Sequence, residues 1–295
     1  MIEVPSTVEV SALADWAELA CLVNDHDSLA KAEIEDALDG AQITGVEELV
    51  SDIWQQIDIR HRLVSDSHPI EVQLTRLERK KQWESAYTYT FQLLISSHKL
   101  YKNTKIKGVQ WKKVAKLFER FATSAIEGYL HGEAVNIGFP REGEVPKGFR
   151  NCLDYLCKGT GELRGPIKSY NLPTKDDKVD IVAWLPFPDK RAGQVMIFAQ
   201  CAAGSDWKSK AGEISLELWK DYINWIAAPI MAIAFPFACI DSDEWGHLSK
   251  QNRGFLLDRL RLSSMYRERK EASLGLKKEI KNWCKGQIAN LPRLN

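Results

Sequence analysis

The stretch VMIFAQCAAGSDWKSK, Val195 to Lys210, decides how the chain is read. Its apolar run has the length and β-branched character of a buried strand. The strand finishes in Gln200 and Cys201, and the chain then turns at Gly204-Ser205 into a segment carrying Lys208 and Lys210. A core strand that ends in a polar amide needs a reason. Either Gln200 caps the strand edge by hydrogen bonding, or its neutral oxygen is offered to a ligand.

Working outward, KVDIVAWLPF before this stretch and APIMAIAFPF after it read as two more buried strands. Between them, SDWKSKAGEISLELWKDYINWI reads as a helix with Ser205 as its N-cap. Upstream, PKGFRNCLDYLCKGTG reads as a helix, with Pro146 suited to its start and Gly159 to its end. AVNIGF is a short apolar piece. WKKVAKLFERFATSAIEGYL places Val114, Leu117, Phe118, Phe121, Ala125 and Leu130 on one helical stripe. From Trp111 the order is therefore helix, weak strand, helix, strand, strand, helix, strand. That order predicts an α/β fold with one central mixed sheet covered by helices.

The front of the chain reads differently. SALADWAELACLV and TGVEELVSDIWQQI carry helical periodicity, with Ser11 as an N-cap, and Ser28 and Gly40 bracket a short helix between them. QLTRLERKKQWESAYTYTFQLLISSHKLY reads as one or two more helices. An all-α N-terminal domain over 1–108 and an α/β domain with a basic helical tail over 109–295 are the expected division. The polar, lysine-rich run ahead of Gly108 serves as a solvated linker.

The 295 residues carry 40 basic and 40 acidic side chains, but unevenly. Residues 1–60 hold 14 acids against Lys31 and Arg60, a balance of −12, so the remainder carries +12. A basic remainder suits an anionic partner, and mutual neutralisation across an interface suits it equally. No apolar run reaches the ~20 residues that span a bilayer, and no leader opens the chain, so a cytoplasmic protein without a membrane partner is expected. The six cysteines and six histidines show no metal spacing, which argues against structural zinc or a disulfide framework. No G-x-x-x-x-G-K-[ST] run occurs, so an ATP-driven step would belong to a protein partner.

Four polar positions converge if this order holds. Asp180 opens one strand, Gln200 closes its neighbour, Glu119 sits on the long helix, and Lys208 follows the Gln strand. Strands run about 4.8 Å apart, so an Asp and a Gln oxygen at matching depth can share one cation. Oxygen ligands of this kind suit Mg²⁺ or Mn²⁺. The Cys201 carbonyl adds to the set, and a nearby ammonium would stabilise charge on a phosphate. Each residue also has an ordinary reading: Glu119 as a surface i,i+4 partner, Asp180 as part of a charged turn, Lys208 as a solvated cation. Asp176 and Asp177 read as solvated turn residues, and Trp184, Trp207, Trp219 and Trp225 as packing.

LFERF with Glu119, KVDIVAW with Asp180 and FAQCA with Gln200, in that order, resemble the PD-(D/E)XK nuclease superfamily, most closely Mrr-type restriction endonucleases. The likeness covers roughly residues 111–240 and implies a restriction-endonuclease-like αβββαβ core. One position departs from the pattern: the lysine expected two residues after Gln200 is Ala202. Members of the superfamily move this lysine to a neighbouring helix, which makes Lys208 the substitute and Lys210 the reserve. The resemblance implies a Mg²⁺-dependent DNA endonuclease, the effector of a prokaryotic restriction or anti-phage system, with self-association admitted. Lys112, Lys113, Lys116 and Lys210 would contact nucleic-acid phosphates. Ala202 keeps open an inactive nuclease-fold scaffold that binds DNA or a partner, and a pure protein-interaction module remains a third reading.

Overall fold

The computed structural model describes residues 2–98, 100–101, 107–166, 176–268 and 271–292. Lys102 and Lys105 of the expected linker, and Arg269, Lys270 and Arg293 of the basic tail, lie outside the described residues.

The front half contains α1 (Val10–Val23), β1 (Ser28–Ala30), α2 (Lys31–Gly40), α3 (Val46–Val64), β2 (Ile70–Val72), β3 (Arg76–Arg79) and α4 (Tyr87–Ser97). It is not all-α. β1, β3 and β2 form a small antiparallel sheet, with Leu29 opposite Leu77 and Val72 opposite Leu77 on its other side. These strands are three or four residues long, too short to show an alternating pattern of their own. Ser28 starts β1 rather than a helix, and α2 begins only at Lys31, with the Glu33 carboxylate accepting from the Ala30 N–H (2.6 Å). α1 is buried from Leu13 to Val23, Asp15 and Glu18 included, so it runs through the interior rather than over it.

The second half continues with α5 (Gly108–Leu130), β4 (Glu133–Asn136), α6 (Phe149–Thr160), β5 (Leu163–Arg164), β6 (Ile181–Leu185) and β7 (Val195–Cys201). After a single 3-10 turn at Trp207–Lys210 come α7 (Leu216–Tyr222), β8 (Ile223–Asn224), β9 (Ile230–Ala234), α8 (Ser242–Asn252), β10 (Phe255–Leu257), α9 (Arg259–Met265) and α10 (Glu271–Ala289). The long helix expected from Ser205 to Ile226 is thus broken. Gly212, at φ +82, leaves only the seven residues of α7, whose N-cap is Ser215 accepting from the Leu218 N–H.

The central sheet is mixed and five-stranded, in the order β10-β9-β7-β6-β4. β4, β6 and β7 are antiparallel neighbours, and β9 and β10 then run parallel to β7. Side chains alternate across it as the pleat requires. Ile181, Ala183, Ile197 and Ala199 pack with Phe118, Phe121 and Ala122 of α5. Val182, Trp184 and Phe198 pack on the other face with Leu153, Trp219 and Tyr222 of α6 and α7. The first of these layers is continuous with the front half, from Ile2 through α1, α3 and α4 to Ile280 and Cys284 of α10. Among the described residues no helix is long and apolar enough to cross a membrane.

Buried charge ties the two halves as well. Arg259 of α9 donates to both oxygens of Asp15 (2.9 and 2.8 Å), and Arg60 of α3 donates to Asp15 (2.8 Å) and Glu18 (3.4 Å). Tyr89 donates to Glu18 at 3.0 Å. Burial opposes ionisation of both acids, and the two guanidiniums outweigh it, holding both pKa values below the ordinary carboxylate range.

Candidate active site: a carboxylate cleft at the sheet edge

Asp180 is fixed through its backbone before its side chain is considered. Its N–H donates to Ala199 O (2.9 Å), and its carbonyl accepts from Ile137 (2.7 Å) and Gly138 (3.1 Å). The residue is therefore held between β7 and the segment following β4. Its Oδ2 accepts from the Cys201 N–H at 2.7 Å, which leaves Oδ1 facing outward over Gly138.

Glu119 reaches the same place from α5. It lies one turn beyond Lys116, whose Nζ meets Glu119 Oε2 (2.9 Å), Asn136 Oδ1 (2.7 Å) and the Gly138 carbonyl (2.7 Å). An ammonium has three N–H bonds, and all three are engaged here. Asn136 Nδ2 also donates to Glu119 Oε2 at 3.2 Å. Gly138 is where the two carboxylates meet: a Cβ there would stand 2.7 Å from Asp180 Oδ1 and 2.8 Å from Glu119 Oε2. Only glycine leaves that space open.

Gln200, at the end of β7, supplies the neutral oxygen. Its Nε2 donates to Glu213 Oε2 (2.8 Å), the same oxygen that Lys178 Nζ approaches at 3.2 Å. The carboxylate fixes the amide with its nitrogen outward. Gln200 Oε1 is left buried without a hydrogen-bond partner. Burial works against Glu213 ionisation, but the bonds from Gln200 and Lys178 hold its pKa below the ordinary value.

Burial, followed by the nearby Glu119, pushes the Asp180 carboxyl up to about 7. Burial raises Glu119 too, against the pull of Lys116 and Asn136. The Cys201 thiol is raised far above its ordinary value, by burial first and Asp180 second, so it is no nucleophile at neutral pH. Burial is the first cause of both shifts, so each carboxylate is favoured in a form whose charge is neutralised.

Glu119, Asp180, Gln200 and Cys201 line one cleft of about 320 Å³, together with Trp111, Asp176, Lys178, Asp206 and Lys210. Glu119, Asp180, Gln200, Cys201 and Lys210 are thus brought together. Lys208 is not: its Nζ pairs with Glu244 of α8 and lies 5.6 Å from the Trp207 ring centroid, lining a different cavity. The cause is local. The lysine-bearing segment is one 3-10 turn rather than a helix, and its residues diverge, with Lys210 alone turned to the cleft. Ala202, where the resemblance expects a lysine, is fully buried among Trp207, Ile233 and Phe235, an apolar layer in which an ammonium would be unsolvated. Lys112 and Lys113 are exposed on the first turns of α5, whereas Lys116 is consumed inside the site instead of facing a phosphate.

The sequence reading missed Asn136, Gly138, Lys178 and Glu213, and set Asp176 and Asp177 aside as solvated. Asp176 lines the cleft and accepts from the Phe139 N–H (3.2 Å), while Asp177 accepts from the Tyr222 hydroxyl (2.5 Å). The i,i+3 spacing of Lys116 and Glu119 was the available signal for their pairing. Among the described residues, no group of three or more His, Cys, Asp or Glu side chains is placed to hold a metal. Of the four acids that line the cleft, Asp180 and Glu119 converge on Gly138, and Mg²⁺ commonly takes only one or two carboxylates and fills its shell with water. The buried, unpartnered Gln200 oxygen in the same cleft is a neutral donor of the kind such an ion takes.

Against protein-family models, curated proteins and solved structures, the chain matches none.

Proposed function

We propose that the chain is a metal-dependent phosphodiester hydrolase acting on DNA, with Asp180, Glu119 and Gln200 at its centre. The observation that carries this reading is that Asp180 and Glu119, whose carboxylates converge on Gly138, line the same cleft as Gln200 with its unpartnered Oε1. Support comes also from the sheet: β4, β6 and β7 follow α5 as antiparallel neighbours, with α6 and β5 inserted between β4 and β6, and β9 after α7 runs parallel to β7, an arrangement compatible with the nuclease core its motifs resemble.

In this reading Asp180 Oδ1, Glu119 and Gln200 Oε1 hold a Mg²⁺ or Mn²⁺ ion. Once bound, the ion would act as a Lewis acid that neutralises charge developing on the phosphate. The Cys201 amide keeps Asp180 in one rotamer, and Lys116 keeps Glu119 in place and partly neutralised. Lys210, rather than Lys208, directs its ammonium at the phosphate and the attacking water. Lys112 and Lys113 contact the flanking backbone, which positions a strand without reading its sequence. The defence role, a partner supplying ATPase or sensor function, and self-association follow from the family resemblance.

The test is cleavage of supercoiled plasmid DNA by the full chain with Mg²⁺ or Mn²⁺. Cleavage that is lost in Asp180→Asn supports the proposal, and intact DNA under both ions contradicts it. The buried Ala202 favours one second reading, a non-catalytic nuclease-fold subunit. On that reading salt-dependent DNA binding persists while no metal supports cleavage.

A further inference from the structure

The side-chain amide of Gln200 has two ends of nearly equal shape and opposite sense, and only its oxygen can serve a cation. Which end goes where is decided by Glu213, a residue outside the lining of the cleft. Glu213 lies just past the 3-10 turn Trp207–Lys210. Gly212 carries the chain to it against α8, where a Cβ would stand 2.5 Å from the Gln251 carbonyl. The Glu213 N–H donates to Lys210 O (3.2 Å), which ties the residue by its backbone to the turn that brings Lys210 to the cleft.

The Glu213 carboxylate then joins two further segments. Its Oε2 accepts from Gln200 Nε2 (2.8 Å) at the end of β7, and Lys178 Nζ, on the turn before β6, stands 3.2 Å from the same oxygen. An ionised carboxylate only accepts, so it admits the amide nitrogen and repels the amide oxygen. A flipped amide would set two oxygens at hydrogen-bonding distance with no proton between them. Gln200 is 6% exposed, and its Oε1 stays buried without a partner. Leaving a buried acceptor unmade is unfavourable, and the charge-assisted bond at the other end of the amide offsets it.

We propose that Glu213 is a positioning residue for the cation site. It acts through Gln200 rather than on the ion, by fixing which end of that amide the cleft receives, and Lys178 steadies its carboxylate. The proposal deepens, and rests on, the reading of Asp180, Glu119 and Gln200 as ligands of one divalent ion.

Mn²⁺ titration of the full chain, native and Gln200→Leu, each with and without Glu213→Lys, tests it. An ammonium at position 213 would draw the amide oxygen outward and turn the nitrogen to the cleft. Its positive charge weakens Mn²⁺ in both backgrounds, so only the difference between them reports positioning. Glu213→Lys should weaken Mn²⁺ at least about tenfold more in the native chain than in Gln200→Leu, the scale on which partners of metal ligands act. Equal weakening in both backgrounds would overturn the proposal and leave the cation site standing. Absence of Mn²⁺ binding by the native chain would overturn both. A second readout needs no metal: one side-chain amide proton of Gln200 should resonate downfield in the native chain, as a carboxylate-bonded proton does, and lose that shift in Glu213→Lys. A Gln200 amide signal unchanged between the two chains would also overturn the proposal. Circular dichroism checks folding, and Glu213→Leu, which removes the acceptor without adding charge, repeats the comparison if Glu213→Lys does not fold.

Discussion

Asp180 Oδ1 and Glu119 Oε2 close on one point from two elements, the mouth of β6 and the middle of α5. That point is the empty Cβ position of Gly138, 2.7 Å from one oxygen and 2.8 Å from the other. Neither carboxylate has freedom to retreat, since the Cys201 amide holds the first and Lys116 with Asn136 the second.

Gly138→Ala is accordingly the least intrusive change that disturbs both acids. The added methyl must displace one carboxylate by a fraction of an ångström. If the proposed hydrolase reading holds, DNA cleavage should fall by about 10²-fold, the order of loss that follows misplacement of catalytic groups on that scale. The circular dichroism spectrum should be unchanged. Undiminished activity in Gly138→Ala would detach the glycine from the site.

The pH dependence of stability follows from the direction of the Asp180 shift. Its folded pKa, about 7, stands above the ordinary 3.8. A carboxyl raised on folding adds stability that is fully present below the unfolded pKa and lost as pH rises through the folded one. Metal-free protein should lose stability between about pH 4 and pH 7 on this account. Asp180→Asn removes the ionisation but keeps an oxygen for the Cys201 N–H. In the absence of metal it should exceed the native chain at pH 8 by on the order of 2–4 kcal/mol, with no advantage at pH 4. Denaturant melts at the two pH values measure this, and a pH-independent difference would rule the shift out.

Arg259 joins the halves through charge that is wholly buried. Arg259→Met leaves Asp15 with Arg60 as its sole guanidinium partner, and removing one member of such a set costs about 3–5 kcal/mol. The core running from Ile2 to Leu291 calls for one cooperative unfolding transition in the native chain. Separate transitions for the front and back halves, seen by calorimetry, would contradict that continuity.

The two lysines of the 3-10 turn separate cleanly. Lys210 lines the carboxylate cleft and Lys208 is paired with Glu244 in the other cavity. On the proposed function, Lys210→Ala should reduce the maximal cleavage rate by about 10²–10³-fold, the scale of losing one preorganised donor at a reacting phosphate. Lys208→Ala should change it far less. The reverse ranking in steady-state kinetics would return the role to Lys208.

Much of this was legible from pattern alone. The stripe Val114, Leu117, Phe118, Phe121 and Ala125 does face the core, and the strands holding Ile181, Val195 and Ile230 do build one mixed sheet. Asp180 and Gln200 fall in one cleft because they end adjacent strands at matching depth, a consequence of register. The direction of Lys208 was not legible, because one turn of 3-10 geometry diverges from helical spacing within a few residues. Arg259 and Asp15 lie 244 residues apart, so no local pattern announces their pairing. The sheet β1-β3-β2 escaped notice because three-residue strands carry too little periodicity.

The central claim is that Asp180, Glu119 and Gln200 together hold one divalent cation, and Mn²⁺ titration of the metal-free full chain, followed by calorimetry and electron paramagnetic resonance, tests it most directly. The account predicts one site in the native chain, lost in Asp180→Asn, weakened in Gln200→Leu and retained in Lys210→Ala. No bound Mn²⁺, or binding that is indifferent to Asp180→Asn, would contradict it.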